Sequence, residues 1–272
     1  MYIAHISDLH VVSDSRRLYD FVDSNSTLAR AAAVINGLDT PVDLVLVSGD
    51  TTNCGTASAY RMLERLLAGF QAPVFLIPGN HDTPALLREV GGGRYHRATG
   101  RTMDYVVDDF PLRLILLDST SPGDIHGMLE PEQFDWLERE LSRDTKPVLV
   151  GIHHPPLPTG HAHMDPLRCR NGDRLVALLQ RFPQVEALAC GHTHRAIIQR
   201  IGMLNVFTAP GLATGIKSDF IDDRGFFIPG EHGFMLHRYT PEGGLATFVE
   251  SLHDGPVHCF AHVNNCPPTG ED

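Results

Sequence analysis

Short apolar runs punctuate the chain, and five of them stop abruptly on side chains that bind metals. They are Tyr2–Ile6 before Asp8 and His10, Leu44–Val47 before Asp50, and Val74–Ile77 before Asn80 and His81. Val148–Ile152 precedes His153 and His154, and Val185–Cys190 precedes His192 and His194. A continuous apolar run of this length predicts a strand buried on both faces. The intervening segments predict helices. Tyr60, Leu63, Leu67 and Phe70 share one stripe of residues 58–70, and Phe134, Leu137 and Leu141 one stripe of 132–141 behind Pro131. Leu175, Leu178, Leu179 and Phe182 share one stripe of 171–182. These stripes read as core faces rather than partner grooves. Strands alternating with helices predict βαβ units and a largely parallel sheet. Ligands bind beyond the carboxyl ends of such strands, so the five donor-bearing ends predict a site along one sheet edge.

The alternation loosens after about residue 195. Ala196–Arg200 and Leu204–Thr208 flank Gly202 and predict a hairpin. Met235–Tyr239 and Ala246–Glu250, separated by Pro241-Glu242-Gly243-Gly244, predict another. Between them, residues 211–231 are rich in Gly and Asp, carry a Phe226-Phe227 pair and show no helical period, as in an arm that serves oligomerisation. The final dozen residues read as an irregular tail.

Composition narrows the class. The chain has 272 residues and is 42% hydrophobic, enough for one large domain or one domain with an appendage. A net charge of −11 argues against a nucleic-acid polymer as partner. A small anionic substrate stays compatible, because a bound cation outweighs the global charge locally. No apolar stretch reaches the roughly 18 residues that span a bilayer, and the N-terminus reads as a strand rather than a signal peptide, so a cytoplasmic location is expected. The five cysteines (Cys54, Cys169, Cys190, Cys259, Cys266) lack CxxC spacing, which excludes a zinc ribbon. Cys190 reads as a buried small hydrophobe. Cys54 and Cys266 sit in contexts that permit pairing, against which a reducing cytosol weighs.

Each motif has an ordinary reading beside the chemical one. Asp8-Leu9-His10 puts alternate side chains on one face of an extended segment, although such a tripeptide alone is usually a surface turn. Asp50 after Gly49 can bridge two cations, although Gly-Asp is also a common turn. In Gly79-Asn80-His81-Asp82 the Asn80 amide oxygen is either an unusual ligand or a cap for a helix starting near Pro84. His153-His154-Pro155-Pro156 and Gly191-His192-Thr193-His194 place paired histidines at two strand ends. Together these motifs supply Asp8, Asp50 and Asn80 as oxygen donors and His10, His153, His192 and His194 as imidazoles. Such a mixed set suits Zn, Mn, Fe or Co better than Mg or Ca. Seven donors are too many for one catalytic ion that must keep a position open; they suit two ions about 3.5–4 Å apart that share a carboxylate.

In order and spacing these five blocks resemble the calcineurin-like metallophosphoesterase superfamily over roughly residues 1–200. Within it the chain is similar to class III cyclic-nucleotide phosphodiesterases and, more narrowly, to bacterial glycerophosphodiesterases. Arg17–Asp23, Ser48–Gly55, and His153–Pro158 continuing to Met164-Asp165-Pro166 carry that likeness. The resemblance implies an α/β fold, a four-layer αββα sandwich with a small C-terminal arm. Residues 1–210 would be the catalytic core, and 211–272 an arm and hairpin that complete the second sheet and make homo-oligomer contacts. It implies a first divalent metal on Asp8, His10 and His194, a second on Asn80, His153 and His192, and Asp50 bridging them. His81 would be no ligand but would face the phosphate, stabilising the transition state or protonating the leaving alkoxide, with Asp82 orienting its ring. Asn80, His81 and His161 are the expected substrate contacts. His126, His161 and His163, in the loops Ser121–Met128 and Thr159–Asp165, either line the pocket or are exposed loop residues. The implied activity is hydrolysis of small phosphodiesters by in-line attack of a metal-activated water, glycerophosphodiesters first. Alternatives are cyclic-nucleotide hydrolysis as the main activity, a phosphomonoesterase, or a non-catalytic scaffold, which would show eroded ligands.

Overall fold

A computed structural model of the protein describes residues 1–13, 16–230 and 233–252. In chain order the strands and helices are β1 (Tyr2–Ile6), α1 (Ser24–Asn36), β2 (Leu44–Val47), α2 (Ala57–Leu67), β3 (Val74–Leu76), α3 (Pro84–Leu87), β4 (Tyr105–Val107), β5 (Arg113–Leu116), α4 (Pro131–Ser142), β6 (Val148–Gly151), α5 (Gly172–Leu179) and β7 (Val185–Cys190). They continue as β8 (Ile197–Ile201), β9 (Leu204–Thr208), β10 (Gly215–Ile216), β11 (Phe227–Ile228), β12 (Gly233–Thr240) and β13 (Gly244–Ser251).

The apolar runs are continuous because each strand is covered on both sides. One sheet has the order β13-β12-β1-β2-β3 and a second the order β4-β5-β6-β7-β9-β8. Their inner faces meet: Ile3, Leu44, Leu46 and Phe75 of the first share a core with Leu114, Leu116, Leu149 and Ala187 of the second. On the outer face of the first sheet, Ala4, Val45 and Val47 pack against Leu28 and Ile35 of α1 and Leu63 and Leu67 of α2. On the outer face of the second, Ile115, Val150 and Leu188 pack against Phe134 and Leu137 of α4 and Leu175 and Leu179 of α5. Helix, sheet, sheet, helix is the four-layer sandwich expected. Among the described residues no helix is long and apolar enough to cross a membrane.

Three features differ from the sequence reading. The five donor-bearing ends belong to two sheets rather than one edge, with β1, β2 and β3 in the first and β6 and β7 in the second. The C-terminal hairpin β12–β13 does not complete the second sheet. It extends the first, β12 pairing antiparallel with β1 in the register Tyr2↔Arg238 to His5↔Met235. The reason is that β1 has β2 on one side only, and a buried strand cannot leave its other row of peptide groups unpaired. The hairpin β8–β9 instead extends the second sheet from β7. A boundary at residue 210 therefore divides no separable unit. Within the arm, β10 and β11 form a small antiparallel ladder, Gly215↔Ile228 and Ile216↔Phe227.

Candidate metal centre

Backbone pairing carries on past the strand ends and aims the donors. Beyond β1 and β2 the amide of Asp8 donates to Gly49 O at 3.1 Å and that of His10 to Asp50 O at 2.9 Å. Across to the second sheet, His192 N donates to Asp8 Oδ2 at 3.0 Å. Five donors adopt left-handed backbone angles, with φ of 55° at Asp8, 42° at His10, 48° at Asp50, 72° at His192 and 52° at His194. Such conformations cost non-glycine residues about 1–3 kcal/mol each and persist only where surrounding contacts over-determine them. Close approach is also needed at Gly79, where a Cβ would overlap the Asp50 carboxylate.

The first donor group is Asp8, His10, Asp50 and His194, all buried, with ligand atoms within 4.8 Å of one another. His194 donates its Nδ1 proton to Thr214 O at 2.9 Å, so Nε2 carries a lone pair. That lone pair faces His10 Nε2 at 3.1 Å and Asp8 Oδ1 at 3.4 Å. From the second sheet, His153 donates Nδ1–H to Ser48 O at 2.7 Å, which leaves its Nε2 facing Asp50 Oδ2 at 3.5 Å, the oxygen that His10 Nε2 approaches at 3.7 Å. His153 Nε2, His192 Nε2 and Asn80 Oδ1 are all buried without a hydrogen-bond partner among the described residues. Orphaned buried polar atoms are rare, and each costs free energy. One of them, His153 Nε2, lies 3.5 Å from Asp50 Oδ2, and a bound cation would satisfy such atoms. The donor set thus fits metal binding.

The electrostatics agree. Burial opposes charge on His153, yet the Asp50 carboxylate beside it wins and raises its pKa to about 9. Burial likewise works against the Asp50 carboxylate, and the imidazoles of His153, His10 and His81 hold it well below the usual range. The protein field around Asp50 calls for positive charge. His154 shares the second imidazole group with His153 and His192. However, its Nδ1 accepts from Ser119 Oγ at 2.8 Å and its Nε2 donates to Ile125 O at 3.0 Å, which leaves no lone pair for a metal. Its ring packs on His192 instead, centroids 4.6 Å apart.

His81 stands edge-on to His10 at 4.8 Å between ring centroids. Its amide donates to Asp50 Oδ1 at 2.9 Å and its Nδ1 to Asn53 O at 2.8 Å, so Nε2 is the ring atom left for a ligand. The partner that orients the ring is therefore Asn53 and not Asp82. The Asp82 carboxylate accepts from Thr51 N at 2.9 Å, Thr51 Oγ1 at 2.6 Å, Thr52 N at 3.1 Å, Tyr60 OH at 3.1 Å and Gly79 N at 3.0 Å. Burial and then the nearby charge of Asp50 push its pKa up. Asp82 is a clamp that ties the loop after β2 to the loop after β3.

His161 has both ring nitrogens engaged within the protein. It is buried, its Nε2 donates to Lys217 O at 2.9 Å, and its Nδ1 accepts from Met164 N at 3.4 Å. His163 Nδ1 donates to Asp223 O at 2.7 Å, so both histidines tie this loop to the arm. His126 is buried rather than exposed, with Nε2 3.4 Å from Asp124. Cys54 is exposed, while Cys259, Cys266 and the Cys54–Cys266 pairing lie outside the described residues. Sequence reasoning missed two groups beside the centre. Tyr19 stacks on Phe227, and Phe227 lies 6.4 Å from the His194 ring. The Phe226-Phe227 pair was the only available signal, and nothing local connects it to Tyr19.

Residues 1–196 match the family model of the calcineurin-like phosphoesterases. The chain is 37% identical to the glycerophosphodiester phosphodiesterase GpdQ of Enterobacter lignolyticus (strain SCF1), over 98% of this chain and 97% of that one. It is 30% identical to the 3',5'-cyclic adenosine monophosphate phosphodiesterase CpdA of Pseudomonas aeruginosa, over 93% of this chain and 90% of that one. Among solved structures, a dimetal phosphatase from Danio rerio shares the fold with a TM-score of 0.71 at 16% identity, over 93% of this chain and 97% of that one. The chain belongs to the calcineurin-like phosphoesterase family.

Proposed function

We propose that the protein hydrolyses small phosphodiesters at a centre of two divalent cations. The observation that carries this reading is Asp50, a buried carboxylate grouped with Asp8, His10 and His194 and approached by His153, while Nε2 of His153 and His192 and Oδ1 of Asn80 are buried without a hydrogen-bond partner among the described residues. Asp8, His10 and His194 would hold one ion, Asn80, His153 and His192 the other, and Asp50 both. The nitrogen and oxygen mixture suits Fe, Mn, Zn or Co. When bound, such a pair lowers the pKa of a water and neutralises phosphoryl oxygens. The chain's own part falls to His81. The Asn53 carbonyl holds its Nδ1 proton, so a proton taken up at Nε2 makes the ring a donor to the leaving alkoxide.

Glycerophosphodiesters are the favoured substrates, because the relative named for them aligns over nearly the whole chain. Cyclic nucleotides come second, since a relative named for cyclic AMP aligns almost as fully. The exposed Cys54 thiol suits a reducing compartment, which favours the cytoplasm. Phe220 and Ile221 expose apolar surface on the arm that a second copy of the chain would cover. The decisive experiment couples metal analysis with hydrolysis of glycerophosphoethanolamine, bis(p-nitrophenyl) phosphate and the monoester p-nitrophenyl phosphate. Two equivalents of metal and preference for the diesters are expected. No diester hydrolysis with either Mn or Zn sinks the reading. Asp50→Ala removes the shared ligand, so it should lose both metals and at least ~10²-fold in kcat/KM, beyond the range of outer ligand partners.

A further inference from the structure

Two aromatic side chains with no part in holding metal stand at the edge of the centre. Tyr19, in the loop between β1 and α1, stacks on Phe227 of β11 with centroids 4.5 Å apart and planes at 25°. The two come from opposite ends of the chain and meet next to His194, whose ring is 6.4 Å from Phe227. Tyr19 holds a φ of 51° and Asp20 one of 67°, angles that bulky side chains rarely adopt. A narrow turn enforces them, Leu18 N donating to Val22 O and Val22 N to Leu18 O, each at 2.9 Å. Despite that definition the rings are open to solvent, Tyr19 38% and Phe227 43% exposed, and Phe21 lies 6.3 Å from Tyr19. Burial, followed by the charges of Asp50, Cys54 and Asp8, raises the pKa of the Tyr19 phenol. A cleft of about 310 Å³ continues from Tyr19 past Val12, Leu18, Asn53 and Cys54. Asn53 is the residue that holds His81.

We propose that Tyr19 and Phe227 form an aromatic wall that selects the ester group of the substrate, accepting the planar ring of an aryl or nucleoside phosphodiester. This rests on the diesterase reading above. With phosphorus held near Asp50 and His81, an ester group directed past Asn53 would enter the cleft bounded by Tyr19. A planar ring there gains stacking contact with half-exposed aromatic faces. Base identity matters little to such stacking, because every base has a π-face. A glycerol group, being small and hydroxylated, gains nothing comparable. The wall therefore changes the ratio of two activities rather than their existence.

The test compares kcat/KM for 2',3'-cAMP and bis(p-nitrophenyl) phosphate with that for glycerophosphoethanolamine, using the Mn-loaded full chain. In Tyr19→Leu and Phe227→Leu the ratio of planar to glycerol substrate should fall about tenfold, chiefly through KM. Tyr19→Phe and Phe227→Tyr, which keep a ring, should restore it. An equal loss on all substrates, or no loss on the planar ones, overturns the inference. The wild-type enzyme offers a check that needs no variant to fold: AMP should inhibit more tightly than glycerol 3-phosphate, and equal inhibition also overturns it. If the wild type hydrolyses no diester at all, the failure belongs to the diesterase reading instead.

Discussion

His81 and Asp82 are adjacent in the chain and do different work in space. His81 keeps Nε2 for a ligand, whereas Asp82 spends its carboxylate on donors from Thr51, Thr52, Tyr60 and Gly79. His81→Ala should keep full metal content and lose about 10²–10⁴-fold in kcat, the usual worth of general acid–base catalysis. The loss should be larger on glycerophosphoethanolamine, whose alkoxide leaves poorly, than on bis(p-nitrophenyl) phosphate. Equal losses on both would make His81 a phosphate contact and not an acid. Asp82→Ala should instead appear in the urea midpoint, because each buried donor left without an acceptor costs about 1–3 kcal/mol. At this scale the donors were legible because chemical type is written in each residue. Their orienting partners were not. Ser48, Asn53 and Thr214 act through carbonyl oxygens, which every residue possesses, and only the loop path selects which one lies within reach.

Among the elements, those with strong apolar contrast were readable and those built from small or mixed residues were not. The helix α1 buries Leu28, Ala31, Ala32 and Ile35, a stripe in which half the members are alanines that carry little hydrophobic signal. Its N-cap, Asp23 accepting from Ser26 N at 3.1 Å, was equally quiet. The short strands β4 and β5 are followed by Asp108 and Asp118, neither of which joins a donor group, and β5 opens on an arginine. That arginine is Arg113, 1% exposed, which donates to Glu140 Oε2 at 2.5 Å and to Glu140 O at 2.8 Å. It ties β5 to the end of α4, with Asp108 and Asp144 at 3.7 and 3.8 Å. Glu140→Ala leaves a buried guanidinium short of its nearest counter-charge. We expect a loss of about 3 kcal/mol in urea unfolding, at the low end for broken buried pairs because the two aspartates remain. A change under 1 kcal/mol would mean that they carry the charge balance unaided.

The whole molecule is tied together from its two ends. Because β12 covers β1, and Phe234 and Met235 lie in the cores on opposite faces of that sheet, a fragment of residues 1–210 should not fold. Circular dichroism of that fragment tests the point, and a cooperative thermal transition would contradict it. The same closure buries two imidazoles. His5 Nε2 bonds with Ser48 Oγ at 2.8 Å, His5 Nδ1 with His237 Nε2 at 3.2 Å, and His237 Nδ1 with Thr247 Oγ1 at 2.8 Å. Burial lowers His237 to about 3, while an unfolded histidine titrates near 6.5. Above about pH 6.5 neither state binds the proton and there is no penalty. As pH falls towards 3, only the unfolded chain takes the proton up, so stability declines through that window. His237→Gln should reduce the decline between pH 7.5 and 5.5 by about 1.4 kcal/mol. An undiminished slope would show that the ring is charged in the fold.

What the chain determines by itself is local: which segments are apolar enough to be buried strands, which donors follow them, and hence the kind of ion they prefer. These properties reside in consecutive residues and hold wherever the segment ends up. What tertiary structure decided is pairing. It divided the five strand ends between two sheets, set Asp50 between the donors of both, turned Asp82 from His81 to Thr51 and Tyr60, and brought Tyr19 against Phe227. Each outcome depends on two distant segments reaching the same place, and the contact energy that selects it exists only once the sheets have closed.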